Sequence, residues 1–116
     1  MAKIIAHTYG KLITAEDITT GKTYTDWRSE YYDWPGLIVI GESEHKAPGK
    51  NFIYIYLNSP GSMEQPYFHT SSGDMTIGDG IITIVTDNSK YVFEEGDFDI
   101  TEDQKKELYI NACIYL

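Results

Sequence analysis

Three short strand-like segments joined by two compact turns occupy the third quarter of the chain, and this pattern restricts the fold more than any other. Residues 75–77 lead into Gly-Asp-Gly at 78–80, whose Asp-Gly step supplies the positive φ angles of a tight hairpin turn. Residues 81–86 are β-branched at every position, and turn residues 87–90 precede a returning segment at 91–93. Because two strands alone are marginal in water, these segments predict a three-stranded antiparallel meander.

Further strands are predicted on the N-terminal side of this meander. Residues 3–14 are largely apolar but interrupted by Gly10, which predicts a bent or bulged strand or a hairpin. Residues 37–40 are continuously apolar and residues 51–58 are apolar on both faces, so each predicts a covered strand, the second one central. Residues 26–34 predict a short helix, which the following Pro-Gly pair ends.

The C-terminus predicts a helix. Thr101, followed by Glu-Asp-Gln, matches a capping box and places the first helical residue at Glu102. Beyond that point two patterns fit. In the first, the helix stops near Leu108 and the alternating apolar residues after it form a terminal strand. In the second, the helix continues and carries one apolar stripe, formed by Leu108, Tyr109, Ala112, Cys113 and Leu116. We favour the helix.

These elements together predict the fold class. We expect one domain, residues 1–116, with an α+β fold dominated by β structure. Its predicted architecture is an antiparallel meander sheet or a small barrel with a C-terminal helix.

The chain is strongly acidic. It carries 18 acidic and 9 basic residues, for a formal charge of −9 in 116 residues. Such a charge repels phosphate backbones and anionic membranes, which argues against direct nucleic-acid binding and against membrane binding. The single cysteine cannot form an internal disulfide, and no stretch reaches the ~20 apolar residues of a membrane span. We therefore expect a cytoplasmic protein.

Negative charge is concentrated directly after the meander, in residues 94–107, which we call the acidic segment. Its two lysines are outnumbered by seven acids: Glu94, Glu95, Asp97, Asp99, Glu102, Asp103 and Glu107. Because opposite charge guides association, this segment is a candidate for contact with a basic partner. The residues singled out for that contact are Glu94, Glu95, Asp97 and Asp99.

A second candidate surface is aromatic. Between Tyr24 and residue 34 the chain places aromatic residues beside three acids, and the candidates for partner contact are Trp27, Tyr31, Tyr32 and Trp34. The preferred interpretation is a small secondary core under a loop. The alternative is a contact surface, because tyrosine and tryptophan supply large rigid areas and are enriched at binding hot spots.

Residues that could carry chemistry are scattered. His7, His45 and His69 lie far apart without metal-ligand spacing, and Cys113 has no neighbouring thiol. Structural histidines, or a solvated one for His45, and an inert core cysteine are the expected interpretations. We therefore predict no catalytic residue, no metal site and no cofactor, and a protein that is not an enzyme.

The segment Thr86-Asp87-Asn88-Ser89-Lys90-Tyr91-Val92-Phe93 resembles a T-x-N-S-x-Y-x-F hairpin of small uncharacterised phage and prophage proteins. Small size, acidity and aromatic content are also similar to those of phage inhibitors of host defence that imitate nucleic-acid charge. The resemblance covers 8 of 116 residues and implies no site residues. It implies a phage or mobile-element protein acting in the host cell cytosol.

Three functions follow as hypotheses. The leading one is a non-catalytic acidic protein that engages a basic host protein, with inhibition of host defence by nucleic-acid mimicry as one form of that role. The first alternative is a structural or assembly subunit that forms a homo-oligomer through strand edges and the C-terminal apolar stripe. The second alternative is a small-molecule binder with an aromatic pocket between residues 27–34 and the sheet, with His69 or Arg28 as the polar contact.

Overall fold

Seven antiparallel strands form one sheet, with one α-helix on its outer face, in a computed structural model that describes residues 2–43, 49–59, 61 and 65–115. The sheet order is β4-β3-β2-β1-β7-β6-β5. The strands are β1 (Ala2–Asp17), β2 (Pro35–Ser43), β3 (Asn51–Leu57), β4 (Tyr67–His69), β5 (Asp74–Gly78), β6 (Ile81–Val85) and β7 (Ser89–Glu95); a 3-10 helix spans Trp27–Tyr31 and helix α1 spans Glu102–Tyr115. The predicted β-dominated fold with a C-terminal helix is confirmed.

Strand β1 connects the two halves of the sheet. Its first part pairs with β2 and its second part pairs with β7, with register shifts between Ile4 and Ala6 and between Leu12 and Thr14. Gly10 lies at the crossover and pairs on both sides. A Cβ at Gly10 would overlap the backbone carbonyl of Glu94, so only glycine lets three strands meet there. The predicted bulged strand is confirmed, and the hairpin alternative is wrong.

The predicted meander is confirmed as β5, β6 and β7. Asp79 and Gly80 both have positive φ, at 54° and 75°, as the two central residues of a type I′ hairpin turn require. The second turn closes where the Thr86 amide donates to the Ser89 carbonyl at 2.8 Å. Strand β3 is an interior strand, as its apolar faces predict, but β1 occupies the middle of the sheet.

Each face of the sheet buries its own apolar cluster. A bridge between Asn51 and Gly73 joins the start of β3 to the residue before β5, and the sheet therefore curls around its inner face. The inner cluster includes Leu12, Ile38, Ile53, Ile55, Phe68, Ile82, Ile84, Tyr91 and Phe93. The outer cluster, which α1 covers, consists of Leu37, Val39, Tyr56, Ile100, Leu108 and Ala112.

Helix α1 begins at Glu102, as predicted, with a reciprocal capping box. The Gln104 amide donates to Thr101 Oγ1 at 3.2 Å, and the Thr101 amide donates to Gln104 Oε1 at 2.9 Å. Residues 109–115 continue the helix, so the terminal-strand alternative is wrong there. The predicted apolar stripe is narrower than expected: Leu108 is buried, whereas Tyr109 is 50% exposed. The expected burial of Cys113 and Leu116 lies outside the described side chains.

The predicted helix at residues 26–34 is only a 3-10 helix of five residues, Trp27–Tyr31. Asp26 caps its start by accepting the Arg28 amide at 3.1 Å. It ends because the Asp33 amide donates to the Leu12 carbonyl of β1 at 2.8 Å, and this pulls the backbone into an extended conformation at Tyr32. Tertiary pairing, rather than helix propensity, decides its length.

Candidate functional site

Trp27 is a large aromatic side chain held at the surface on a rigid base. Its side chain is 48% exposed. The ring centroid lies 5.6 Å from Phe68 and 6.1 Å from Tyr31, both in edge-to-face geometry. The guanidinium carbon of Arg28 lies 4.8 Å from the same ring. Contacts on several sides fix the indole while half of its surface faces solvent.

The other three predicted aromatic residues serve the core. Tyr31 is 3% exposed and donates its hydroxyl to the Gln65 carbonyl at 2.7 Å. Tyr32 donates to the Tyr24 carbonyl at 2.7 Å, and Trp34 Nε1 donates to the Asn58 carbonyl at 2.8 Å. These three residues therefore form the predicted secondary core. Of the four aromatic residues predicted for partner contact, Trp27 is the one whose side chain is exposed for it.

Arg28 attaches the 3-10 helix to the sheet. Its guanidinium stacks on Tyr24 at 3.9 Å, its Nε donates to the Tyr91 hydroxyl at 2.9 Å, and it forms an ion pair with Asp26. Two exposed acids lie beside Trp27: Asp26, which Arg28 pairs with, and Glu30. We call Asp26, Trp27 and Glu30 the Trp27 patch.

The four acids predicted for partner contact divide into two pairs. Glu94 and Glu95 lie in β7 and are partly buried, and Glu95 accepts a hydrogen bond from Thr8 Oγ1 at 3.1 Å. Asp97 and Asp99 are exposed. Asp97 pairs with Lys105 at 3.0 Å, whereas no ion pair forms at Asp99 within the described part of the chain.

Lys11 contacts both the acidic segment and Asp33, which lies at the end of the aromatic-rich residues 24–34. Its Nζ lies 3.6 Å from the Asp33 carboxylate and 4.5 Å from the centroid of the Phe98 ring. Trp27 belongs to a different contact network, made of Tyr31, Phe68 and Arg28. The structure therefore places Asp33 beside the acidic segment, and sequence reasoning missed Lys11 because its role depends on strand pairing.

Tyr31 and Tyr32 have altered acidity. Burial raises the pKa of Tyr31, and the neighbouring Glu30 carboxylate and Tyr67 raise it further. Burial also raises the pKa of Tyr32, against the opposing effect of its hydrogen bond to Ala15. Both phenols are thus stabilised in the neutral form by the folded chain.

Alkaline pH should therefore destabilise the fold. Because the folded-state pKa values lie above the unfolded one, the stabilisation is complete below about pH 10 and is lost as pH rises through the folded-state values. We expect the midpoint of urea unfolding to fall above about pH 10. In Tyr31→Phe the fall should be smaller, and an equal fall in that variant would contradict the contribution of Tyr31.

A second surface feature lies between α1 and β1. A shallow groove of about 550 Å³ is lined by Tyr9, Glu102, Lys105, Lys106, Tyr109 and Ile110. Lys105 Nζ lies 5.1 Å from the Tyr9 ring centroid and also pairs with Asp97 and Glu102. The ring of His7 lies 5.4 Å from that of Tyr109. Sequence reasoning placed Tyr109 in a buried stripe and so missed this groove.

The pocket expected between residues 27–34 and the sheet is filled by the inner cluster. The ring centroids of Tyr31 and Phe68 lie 4.7 Å apart there. His69 instead stacks on Tyr54 of the outer face at 4.8 Å. Of the two alternative polar contacts, His69 therefore lies on the outer face, and Arg28 contacts Tyr24 and Tyr91.

Metal ligands do not cluster in the described residues, which contain no group of three or more His, Cys, Asp or Glu side chains suited to an ion. His45 lies outside those residues. In the same part of the chain, no helix combines the length and the apolar character needed to cross a membrane.

Comparisons with protein-family models, with curated proteins and with solved structures gave no match to this chain.

Proposed function

We propose that this chain is a non-catalytic binding protein that uses Trp27 and the acidic segment to engage a basic protein. The observation that carries the proposal is the half-exposed Trp27, fixed by Phe68, Tyr31 and Arg28. Ordering a flexible side chain on binding costs about 0.5–1.5 kcal/mol. A tryptophan already held in place avoids much of that cost, which is why rigid aromatics dominate binding hot spots.

The charge around these surfaces supports a basic partner. Glu30 is exposed beside Trp27 and forms no ion pair in the described chain, whereas Asp26 pairs with Arg28 and Asp33 pairs with Lys11. Asp99, Asp103 and Glu107 are exposed and free of ion pairs within the described chain. With a net charge of −9, the protein would attract a cationic surface and repel nucleic acid.

The resemblance to small phage and prophage proteins extends the proposal to the kind of partner. A bacterial host protein that handles nucleic acid has the basic groove that such a surface would occupy, and inhibition would follow from blocking that groove. The residues of the shared hairpin motif have structural roles here: Thr86 and Ser89 close the turn, and Tyr91 and Phe93 lie in the inner cluster. The motif therefore supports the fold, and the proposed contact surfaces lie outside it.

The test begins with capture of partners from bacterial lysate by the immobilised chain at low and high salt. Surface electrostatic attraction is screened over about 8 Å at physiological ionic strength and over about 3 Å at 1 M. We expect a basic protein to be retained at low salt and released at high salt. Its dissociation constant can then be measured against the variants below.

Neutralising Asp99→Asn, Asp103→Asn and Glu107→Gln together should weaken binding about tenfold, equivalent to ~1.4 kcal/mol. The matched control neutralises three exposed or partly exposed acids elsewhere, Glu42→Gln, Asp79→Asn and Asp87→Asn. Both triple variants change net charge by the same amount, and Asp79, like Asp99, has a positive φ that asparagine tolerates. Equal weakening by both would contradict a localised acidic contact.

Trp27→Ala should weaken the same interaction by about 2 kcal/mol or more, roughly thirtyfold. Trp27→Phe keeps an aromatic ring over Phe68 and should retain part of the affinity. Circular dichroism and thermal unfolding establish that each variant is folded. Unchanged affinity in Trp27→Ala would remove the Trp27 patch from the proposal.

A further inference from the structure

The tip of the β5–β6 hairpin carries a carboxyl group and a backbone amide that are both unoccupied. Asp79 and Gly80 are exposed. Among the described residues, the Asp79 carboxylate has no hydrogen-bond or ion-pair partner, and the Gly80 amide donates to no acceptor. A Cβ placed on Gly80 would meet nothing within 4 Å. The Gly80 amide nitrogen and the preceding carboxyl group are therefore free to react with each other.

Several other Asp and Asn residues are protected from such a reaction. Asn88 is exposed in the second turn, but the amide that follows it, that of Ser89, donates to Thr86 Oγ1 at 3.2 Å. Such a hydrogen bond holds the amide away from the side chain that precedes it. The amides after four acids are also hydrogen-bonded: those after Asp17, Asp33, Asp99 and Asp103.

Asp87 is a close comparison for Asp79. It is exposed, and the Asn88 amide that follows it donates to no acceptor in the described part of the chain. The difference lies in the next residue, because Asn88 has a side chain beside its amide nitrogen and Gly80 has none. The amide next to Asp79 is therefore the less hindered of the two.

We propose that Asp79 forms isoaspartate spontaneously in the folded protein. The Gly80 amide nitrogen attacks the side-chain carboxyl carbon of Asp79, and the amide proton leaves with the carboxyl hydroxyl as water. This step forms a five-membered cyclic imide across residues 79–80. Water then opens the imide at one of its two carbonyls, so one water is released and one is consumed. Opening at the side-chain carbonyl restores aspartate, whereas opening at the main-chain carbonyl leaves isoaspartate.

Isoaspartate would change the hairpin turn, because it adds one carbon atom to the main chain. The turn depends on positive φ at both central residues, 54° at Asp79 and 75° at Gly80, and a longer main chain cannot keep this geometry. The Gly80 carbonyl also accepts the Glu95 amide at 2.8 Å. Modification of Asp79 would therefore loosen the hairpin and reach the start of the acidic segment. This site does not depend on the proposed binding function.

The test incubates the folded, full-length chain at neutral pH in water enriched in ¹⁸O. Each opening of the imide inserts one heavy oxygen, and peptide mass spectrometry locates it. We expect label at Asp79 to appear roughly tenfold faster than at Asp87, which corresponds to a barrier lower by about 1.4 kcal/mol. A protease that cleaves before aspartate but not before isoaspartate should also leave a growing uncleaved fraction at residue 79.

Asp79→Glu is the matched variant. It keeps the negative charge, but ring closure would need a less favourable six-membered imide, so label at residue 79 should disappear. Circular dichroism establishes that the variant is folded. If it does not fold, the wild-type chain unfolded in guanidinium serves as the reference, because it shows how fast residue 79 reacts without the turn.

A structural effect should accompany the chemistry. The fraction that contains isoaspartate, separated by chromatography, should unfold at a lower urea concentration than the remaining fraction, and its Glu95 amide should exchange hydrogen faster. Absence of label from Asp79 in the folded chain would overturn the proposal, and label in the unfolded chain alone would show that the turn prevents ring closure. Equal labelling of Asp79 and Asp87 in the folded chain would overturn it as well.

Discussion

Phe68→Ala is expected to lower the free energy of unfolding by about 3–5 kcal/mol. Phe68 is 2% exposed. The centroid of its ring lies 4.7 Å from that of Tyr31, 5.6 Å from that of Trp27 and 6.1 Å from that of Tyr91. Removing its ring deletes the shared contact of the inner cluster and the 3-10 helix. A domain stable by roughly 5–15 kcal/mol would lose a large part of its margin. Urea unfolding followed by circular dichroism measures the loss.

The same variant should also release Trp27. Without the Phe68 ring beneath it, the indole gains freedom, and fluorescence anisotropy should fall in the folded state. Phe68→Leu is the matched control, because it retains most of the apolar volume and should cost under about 1.5 kcal/mol. A loss below about 1 kcal/mol in Phe68→Ala would contradict the central position of this ring in the core.

Gly10→Ala is expected to cost about 3 kcal/mol, although it adds only one methyl group. Its Cβ would overlap the Glu94 carbonyl oxygen and come within 2.9 Å of Ile38 Cδ1. The first of these is backbone in a paired strand, which cannot rotate away as a side chain can. Relief therefore requires β1 and β7 to separate at the crossover of the sheet.

Gly78→Ala provides the control for Gly10→Ala. Gly78 ends β5, has open space where an alanine Cβ would lie and has no positive φ, so alanine should change stability by less than about 0.5 kcal/mol. Hydrogen exchange should show the loss in Gly10→Ala concentrated along β1 and β7. Equal stability of the two glycine variants would contradict the three-strand crossover.

The local elements followed from the sequence because their signals act over a few residues. The Asp-Gly step at residues 79–80 specifies a hairpin turn through positive φ, and the Thr101 capping box specifies the start of α1 through two hydrogen bonds. The β-branched run at 81–86 suits a half-buried strand whatever its neighbours. Each of these predictions is confirmed.

The candidate site followed from the sequence only in part. Aromatic density pointed to residues 24–34, but composition cannot distinguish the exposed Trp27 from the buried Tyr31 four residues later. Which of them faces solvent depends on Phe68, which approaches from β4 and covers Tyr31. The groove beside Tyr109 was missed for a related reason, since α1 meets the sheet through a narrower face than its apolar pattern predicts.

Residue types and their short-range spacing were enough to specify the β-dominated class, the turns, the helix start and the acidity of this protein. The sheet order and the length of the 3-10 helix came instead from the pairing of one long β1 with two different strands and with the backbone of residue 33. Such pairings join residues tens of positions apart, and no local pattern encodes which strand will be the neighbour.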